Sequence, residues 1–170
     1  MNIIVVPRFY VERMLIASIG LKDWALISIH AEGELMTPTN QEILKKDGCV
    51  DILSLRFGDI TKGTYETLPH DLQRRMHLFS EKQAKSVIKF LAANQGIKTL
   101  IIHCRAGVSR SGAVGLFACR YLGEDEGAFR ESNPYIMPNP YVLSLLSHVA
   151  GVHENYEQWW LDNTDTQVIF

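Results

Sequence analysis

Thr99-Leu100-Ile101-Ile102-His103-Cys104-Arg105-Ala106-Gly107-Val108-Ser109-Arg110-Ser111-Gly112-Ala113-Val114 passes from one apolar run, through polar and small residues, into a second that continues Gly115-Leu116-Phe117-Ala118. The first run reads as a buried strand and the second as a helix, so the middle is the turn that joins them. A cysteine is a strong nucleophile only as the thiolate, which oriented backbone N–H groups, a helix N-terminus and nearby positive charge all favour. Cys104 is placed to meet all three. Arg110 follows it by six positions, enough chain to curl a ring of N–H groups around a tetrahedral oxyanion. Gly107 permits the close backbone approach and positive φ that such a ring needs. Arg110 opens the helix, where its planar fork suits two phosphate oxygens and the helix end adds partial positive charge. Ser111 puts a hydroxyl beside the sulfur.

His-Cys-x-x-Gly-x-x-Arg-Ser, present from His103 to Ser111, resembles the signature of the cysteine-dependent protein tyrosine phosphatases, and the compact chain resembles their dual-specificity branch as found in microbes. The resemblance implies a two-step phosphomonoester hydrolysis. Cys104 forms a cysteinyl-phosphate while Arg110 and the backbone of Arg105, Ala106, Gly107, Val108 and Ser109 hold the equatorial oxygens. Ser111 stabilises the departing thiolate, and His103 orients the loop and tunes the thiol. No metal and no other cofactor is implied. A Walker-type loop is excluded because Ala113, not Lys, follows Gly112. Rhodanese-like loops are shorter, and the low-molecular-weight phosphatases carry theirs near the N-terminus.

Around this turn the chain reads as a single domain over 1–170, with a core of 1–150 and a C-terminal extension, 151–170, that includes Trp159 and Trp160. The expected fold is α/β, a central, mostly parallel sheet of about four to five strands flanked by helices. A hydrophobic content of 46% and a charged content of 21% suit a globular protein, and a net charge of -2 argues against a general nucleic-acid or membrane-surface binder. Cys49, Cys104 and Cys119 form no C-x-x-C pair and are odd in number, against a disulfide framework or zinc site. Cys49 and Cys119 read as buried apolar residues. With no basic leader and no stretch of membrane-spanning length, a cytoplasmic protein is expected, in the reducing setting that a catalytic thiol requires.

Ile3–Val6 is the first strand candidate, ended by Pro7, and residues 9–19 have near-helical spacing up to Gly20. Trp24–Ile29 is the next strand, with His30 a satisfied edge residue and 33–40 a polar loop. Val50–Phe57 reads as a third strand. Residues 60–79 are irregular and locally basic, either a functional loop or a solvated insertion with a short helix of its own. Ser80–Gln83 is a capping-box signature ahead of Ala84, Val87, Ile88 and Leu91 at helical spacing, with Gly96 the stop. That helix between two strands implies a parallel pair. Glu124-Asp125-Glu126 reads as a solvated helix start, and Asn139-Pro140 as the cap and first turn of a helix burying Val142, Leu145, Leu146 and Val149.

The general acid is read from position. The Trp-Pro-Asp of the large phosphatases is absent, and the dual-specificity branch keeps only an Asp after the preceding strand, usually some thirty residues ahead of the cysteine. Asp59 follows that strand but lies 45 residues before Cys104; Asp71 lies 33 before it, within the 60–79 segment. A strand end fixes position better than spacing through an insertion does, which favours Asp59, since open α/β sheets bind ligands beyond their carboxyl strand ends. The expected substrate is a phosphorylated protein or peptide carrying phosphotyrosine, with phosphoserine and phosphothreonine left open. The alternatives are a phosphate-binding module without turnover and a phosphatase of a non-protein monoester, a phosphoinositide or an RNA 5′ phosphate, for which Arg105 alone is slight support. No nucleic-acid or membrane partner is expected, and oligomeric state is not legible.

Overall fold

The computed structural model describes residues 1–17, 21–31 and 38–152. Twelve elements follow one another in these residues: β1 (Asn2–Pro7), α1 (Arg8–Ala17), β2 (Trp24–His30), α2 (Pro38–Lys46), β3 (Cys49–Arg56), α3 (Lys62–Thr67), α4 (His70–Arg75), α5 (Glu81–Ala93), β4 (Thr99–Cys104), α6 (Arg110–Tyr121), α7 (Glu126–Ser132) and α8 (Pro140–Ala150). The strands form one sheet in the order β1-β4-β2-β3, and every pairing is parallel. The α/β expectation holds, with four strands among the described residues.

Helices cover both faces, which is why β2 is buried along its whole length. Alternation assigns the faces. Ala25, Ile27, Ile29, Leu100, Ile102 and Cys104 pack with Val87 and Leu91 of α5, Val114 and Phe117 of α6 and Val142 and Leu146 of α8. Trp24, Leu26 and Ile101 point the other way, onto Val11 of α1 and Leu44 of α2. Among the described residues no helix is long and apolar enough to cross a membrane.

Several boundaries follow from caps. Ser80 and Gln83 form the reciprocal box at the start of α5, and the Gln83 amide also donates to the Arg56 carbonyl at 2.7 Å, tying α5 to the end of β3. Asp125 caps α7 through the Ala128 N–H at 2.6 Å, and Asn139 caps α8 through that of Val142, with Pro140 in the first turn.

Four readings need correction. Residues 60–79 are not irregular throughout: where one of the two readings allowed a short helix they contain two, α3 and α4, with no buried residue and so no apolar period to announce them. The 33–40 loop ends early, because Pro38 already opens α2, a helix in which Leu44 is the one well-buried apolar residue among the described side chains. β3 and β4 are parallel but not paired, since β2 lies between them. The acidic run 124–126 starts a helix, α7, as expected, but it is engaged rather than simply solvated: Glu124 meets the Met1 ammonium at 2.6 Å and Glu126 bridges Arg120 and Arg130. The readings of Gly20, of most of the 33–40 loop and of 153–170, including Trp159 and Trp160, lie outside the described residues.

Candidate active site

β4 ends at Cys104 and α6 begins at Arg110, so the signature is the connection between a central strand and the helix packed on it. Its shape follows from where its carbonyls go. Arg105 O accepts the Arg8 N–H at 3.3 Å, Val108 O that of Met137 at 3.2 Å, and Ser109 O that of Asn139 at 3.1 Å. A trans peptide sets its N–H opposite its C=O, so carbonyls tied to flanking segments leave the N–H groups of the next residues facing the inside of the curl. Gly107 has φ of +73° and packs against β1, where a Cβ would overlap Pro7 N and lie 2.5 Å from the Val6 carbonyl carbon. Only glycine fits there without strain.

The curl closes on sulfur. Cys104 is 2% exposed, and its Sγ accepts the Gly107 N–H at 3.3 Å and the Ser111 hydroxyl at 3.1 Å. Burial alone would push the thiol up. The Ser111 hydroxyl, then the N–H groups of Ser111, Val108 and Gly107, outweigh that and bring it below its ordinary value. The other two cysteines go the other way: burial pushes Cys49 up to about 12, and burial with the neighbouring Glu126 and Glu124 raises Cys119. Of three buried thiols, only Cys104 has hydrogen bonds donated to its sulfur that outweigh burial.

Arg110 is 6% exposed, and its Nη1 donates to Phe57 O at 3.0 Å. Its Nε finds no hydrogen-bond acceptor among the described residues and sits 3.9 Å from Asp59 Oδ2. A buried guanidinium with an unspent donor is costly unless an anion completes it. Ser109 stands at the N-cap position of α6, yet makes no capping bond. Its hydroxyl turns instead to Asp59 Oδ1 at 2.7 Å. The first N–H groups of α6 are therefore left without a side-chain cap, beside a buried cation, which is an arrangement that suits a bound oxyanion.

Asp59 lies past the end of β3, 39% exposed at its side chain. Its Oδ1 also accepts the Asn139 side-chain amide at 2.9 Å. Asp71 is exposed in the first turn of α4 and makes no bond to the loop. Arg105 and Ala106 are exposed at the mouth, Val108 and Ser109 half-buried, Gly107 buried.

Behind the loop, His103 is buried next to a group the sequence reading missed. Ser28 Oγ bridges His103 Nε2 at 2.6 Å and His30 Nε2 at 2.7 Å. One hydroxyl proton serves two imidazoles, so one Nε2 must donate to the serine and the other accept from it. Burial, with His30 adding to it, lowers His103 from 6.5 to about 4, against the opposing pull of the Cys104 backbone, which favours the protonated ring. His103 is therefore a neutral imidazole at neutral pH. His30 is not the edge residue expected: it is 2% exposed and closes this chain. The available signal was period two, since Ser28 and His30 are polar neighbours on one face of an otherwise apolar strand, and Ser28 is the register partner of His103.

Among the described residues no three His, Cys, Asp or Glu side chains gather as metal ligands. No protein-family model matches the chain, and no curated protein matches it. Solved structures do. A crystal structure of Tk-PTP in the active form is 21% identical, with 88% of this chain and 90% of that one covered and a TM-score of 0.51. One of PTPMT1 in complex with PI(5)P is 16% identical, with the same two coverages and the same TM-score. The fold is thus that of the cysteine-dependent phosphatases, as the resemblance implied.

Proposed function

We propose that this chain is a cysteine-dependent phosphatase of phosphomonoesters. The observation that carries this reading is the pairing, at the two ends of one loop, of a thiol held below its ordinary value with a buried arginine whose Nε has no hydrogen-bond acceptor among the described residues. In the first step the Cys104 thiolate attacks phosphorus, the S–P bond forms and the P–O bond to the leaving group breaks. The loop N–H groups and Arg110 hold the three equatorial oxygens. Asp59 gives its proton to the departing oxygen. In the second step Asp59 takes a proton from water as the water attacks phosphorus, the S–P bond breaks, and the Ser111 hydroxyl receives the thiolate as it re-forms. His103, neutral and fixed through Ser28, acts behind the loop as a positioning residue.

Phosphotyrosine in a protein or peptide is the substrate we favour. A phosphoinositide headgroup is the second reading, supported by the likeness to PTPMT1, crystallised with PI(5)P, and by Arg105 standing exposed in the loop. The test is hydrolysis of para-nitrophenyl phosphate in excess EDTA by wild type and Cys104→Ser, followed by phosphate release from a phosphotyrosine peptide and from PI(5)P. Chelator-resistant activity lost in the mutant is expected. A folded wild type that binds phosphate without turnover would replace the enzyme with a binding module, and a preference for PI(5)P would replace the protein substrate with a lipid.

A further inference from the structure

Asn139 belongs to two structures at once. Its Oδ1 accepts the Val142 N–H at 3.2 Å, which caps α8 and fixes which end of the amide is nitrogen. The nitrogen end, Nδ2, donates to Asp59 Oδ1 at 2.9 Å, and the backbone N–H of Asn139 holds Ser109 O at 3.1 Å. Ser109 in turn donates its hydroxyl to the same Oδ1 at 2.7 Å. Both donors therefore fall on one oxygen of the carboxyl group. Asp59 Oδ2 receives neither, and it is the oxygen that faces Arg110 Nε at 3.9 Å.

A protonated carboxyl group has one oxygen that carries the hydrogen and one that only accepts. An oxygen already accepting from an amide and a hydroxyl is the acceptor, so the proton belongs on the other. Resting on the phosphatase reading above, we propose that Asn139 and Ser109 are positioning residues for the general acid: they hold Asp59 so that its proton sits on Oδ2, on the side of the arginine that grips the phosphate. Without them the carboxyl torsion is broad and nearly two-fold, and the proton faces the substrate for only part of the time. Asn139 also couples this alignment to the loop and to α8, since one residue bonds all three.

The proton matters in proportion to how poor the leaving group is. Para-nitrophenolate departs readily without help, whereas phenolate requires the acid. kcat/KM reports steps through departure of the leaving group, so comparing the two esters isolates proton delivery from hydrolysis of the shared cysteinyl-phosphate. Asn139→Ser keeps a good helix cap but is too short to reach Asp59, and Ser109→Ala removes the second donor while touching no cap bond. The expected result is that each lowers kcat/KM for phenyl phosphate roughly 10-fold more than for para-nitrophenyl phosphate, a part of the roughly 10²–10⁴-fold that a general acid contributes, since Asp59 itself stays in place. Adding Asn139→Ser to Asp59→Ala should change neither ester further, because Asn139 acts through Asp59. Equal losses on both esters in variants that melt like wild type would overturn the assignment and leave the phosphatase reading standing. Should Asn139→Ser fail to fold, Ser109→Ala decides alone. A wild type inactive on both esters would overturn the phosphatase reading and this one with it.

Discussion

Replacing Gly107 by alanine tests the loop at its tightest point, and the cost can be built from the geometry. The added Cβ must sit at φ of +73°, which costs an L-residue about 1–2 kcal/mol. It would also lie 2.5 Å from the Val6 carbonyl carbon, where ordinary contact begins at 3.4 Å, so the loop or β1 must give by 0.9 Å. Both are backbone, and β1 is held in register by β4, so no flexible side chain can absorb the overlap. Overpacking of this kind adds about 1–3 kcal/mol. The sum, roughly 2–5 kcal/mol, corresponds to a fall in melting temperature of roughly 4–20 °C at this chain length. Gly123 supplies the control. It has φ of +70° with nothing within 4 Å of a Cβ, so Gly123→Ala bears the conformational cost alone. The excess of Gly107→Ala over Gly123→Ala is the overlap with β1. If the loop escapes the overlap by turning, it does so by withdrawing the Gly107 N–H from Cys104 Sγ, and the thiol then rises. Differential scanning fluorimetry reads the first outcome, and the pH dependence of Cys104 alkylation by iodoacetamide reads the second. A Gly107→Ala protein that matches Gly123→Ala in both measurements would refute the idea that β1 presses the loop into shape around the sulfur.

Three further outcomes are expected. Asp59→Ala should lower turnover roughly 10²–10⁴-fold, the usual share of a general acid, while Asp71→Ala stays near wild type; the reverse pattern in the same assay would move the role to Asp71. Ser111→Ala removes the hydroxyl on Cys104 Sγ, so the midpoint of the alkylation–pH curve should move to higher pH, and an unmoved midpoint would deny the hydroxyl its part in holding the thiolate. His103, brought from 6.5 to about 4 by burial and by His30, binds a proton more readily unfolded than folded. Its contribution to stability is therefore complete above pH 6.5 and lost as pH falls toward 4, by about 3 kcal/mol in all. Urea denaturation at pH 7, 5.5 and 4 should show that loss, and a slope as steep in His103→Gln would assign it to other groups.

Much of the fold could be read because hydrophobic spacing and caps act locally. β4, the turn and α6 announce themselves as two apolar runs around a polar signature, and α5 declares its start through Ser80 and Gln83 three residues apart. α3 and α4 bury nothing, so no period marks them, and α2 offers a single deeply buried leucine behind a proline. The placement of Asp59 at the loop followed from its position past a strand end. Its bonds to Ser109 and Asn139 join residues 50 and 80 positions away, a distance at which sequence carries no geometric signal. Asn139 illustrates the limit: its role as a cap is written in the Pro140 beside it, but an amide has a second end, and only the folded chain says where that end points. Ser28 is similar: period two sets it beside His30 on one face of β2, but only the folded chain brings His103, 75 positions away, to the same hydroxyl.

The position of β4 in the sheet bears on how the protein folds. It is the last strand of the described chain, yet it inserts between β1 and β2, and it is the only strand that β1 pairs with among the described residues. Asn2 waits for Thr99, so the contact that seats β1 closes a span of nearly the whole sheet-forming chain. Val6 and Pro7 form the floor on which Gly107 rests, so the loop has nothing to curl against until that late closure has happened. A chain in which β1 is not yet seated then lacks the support that turns the Gly107 N–H onto Cys104 Sγ. The full set of hydrogen bonds on the sulfur arises with the completed sheet, and a fluctuation that peels β1 away removes the Gly107 share of it, so the reactivity of Cys104 should report the seating of β1.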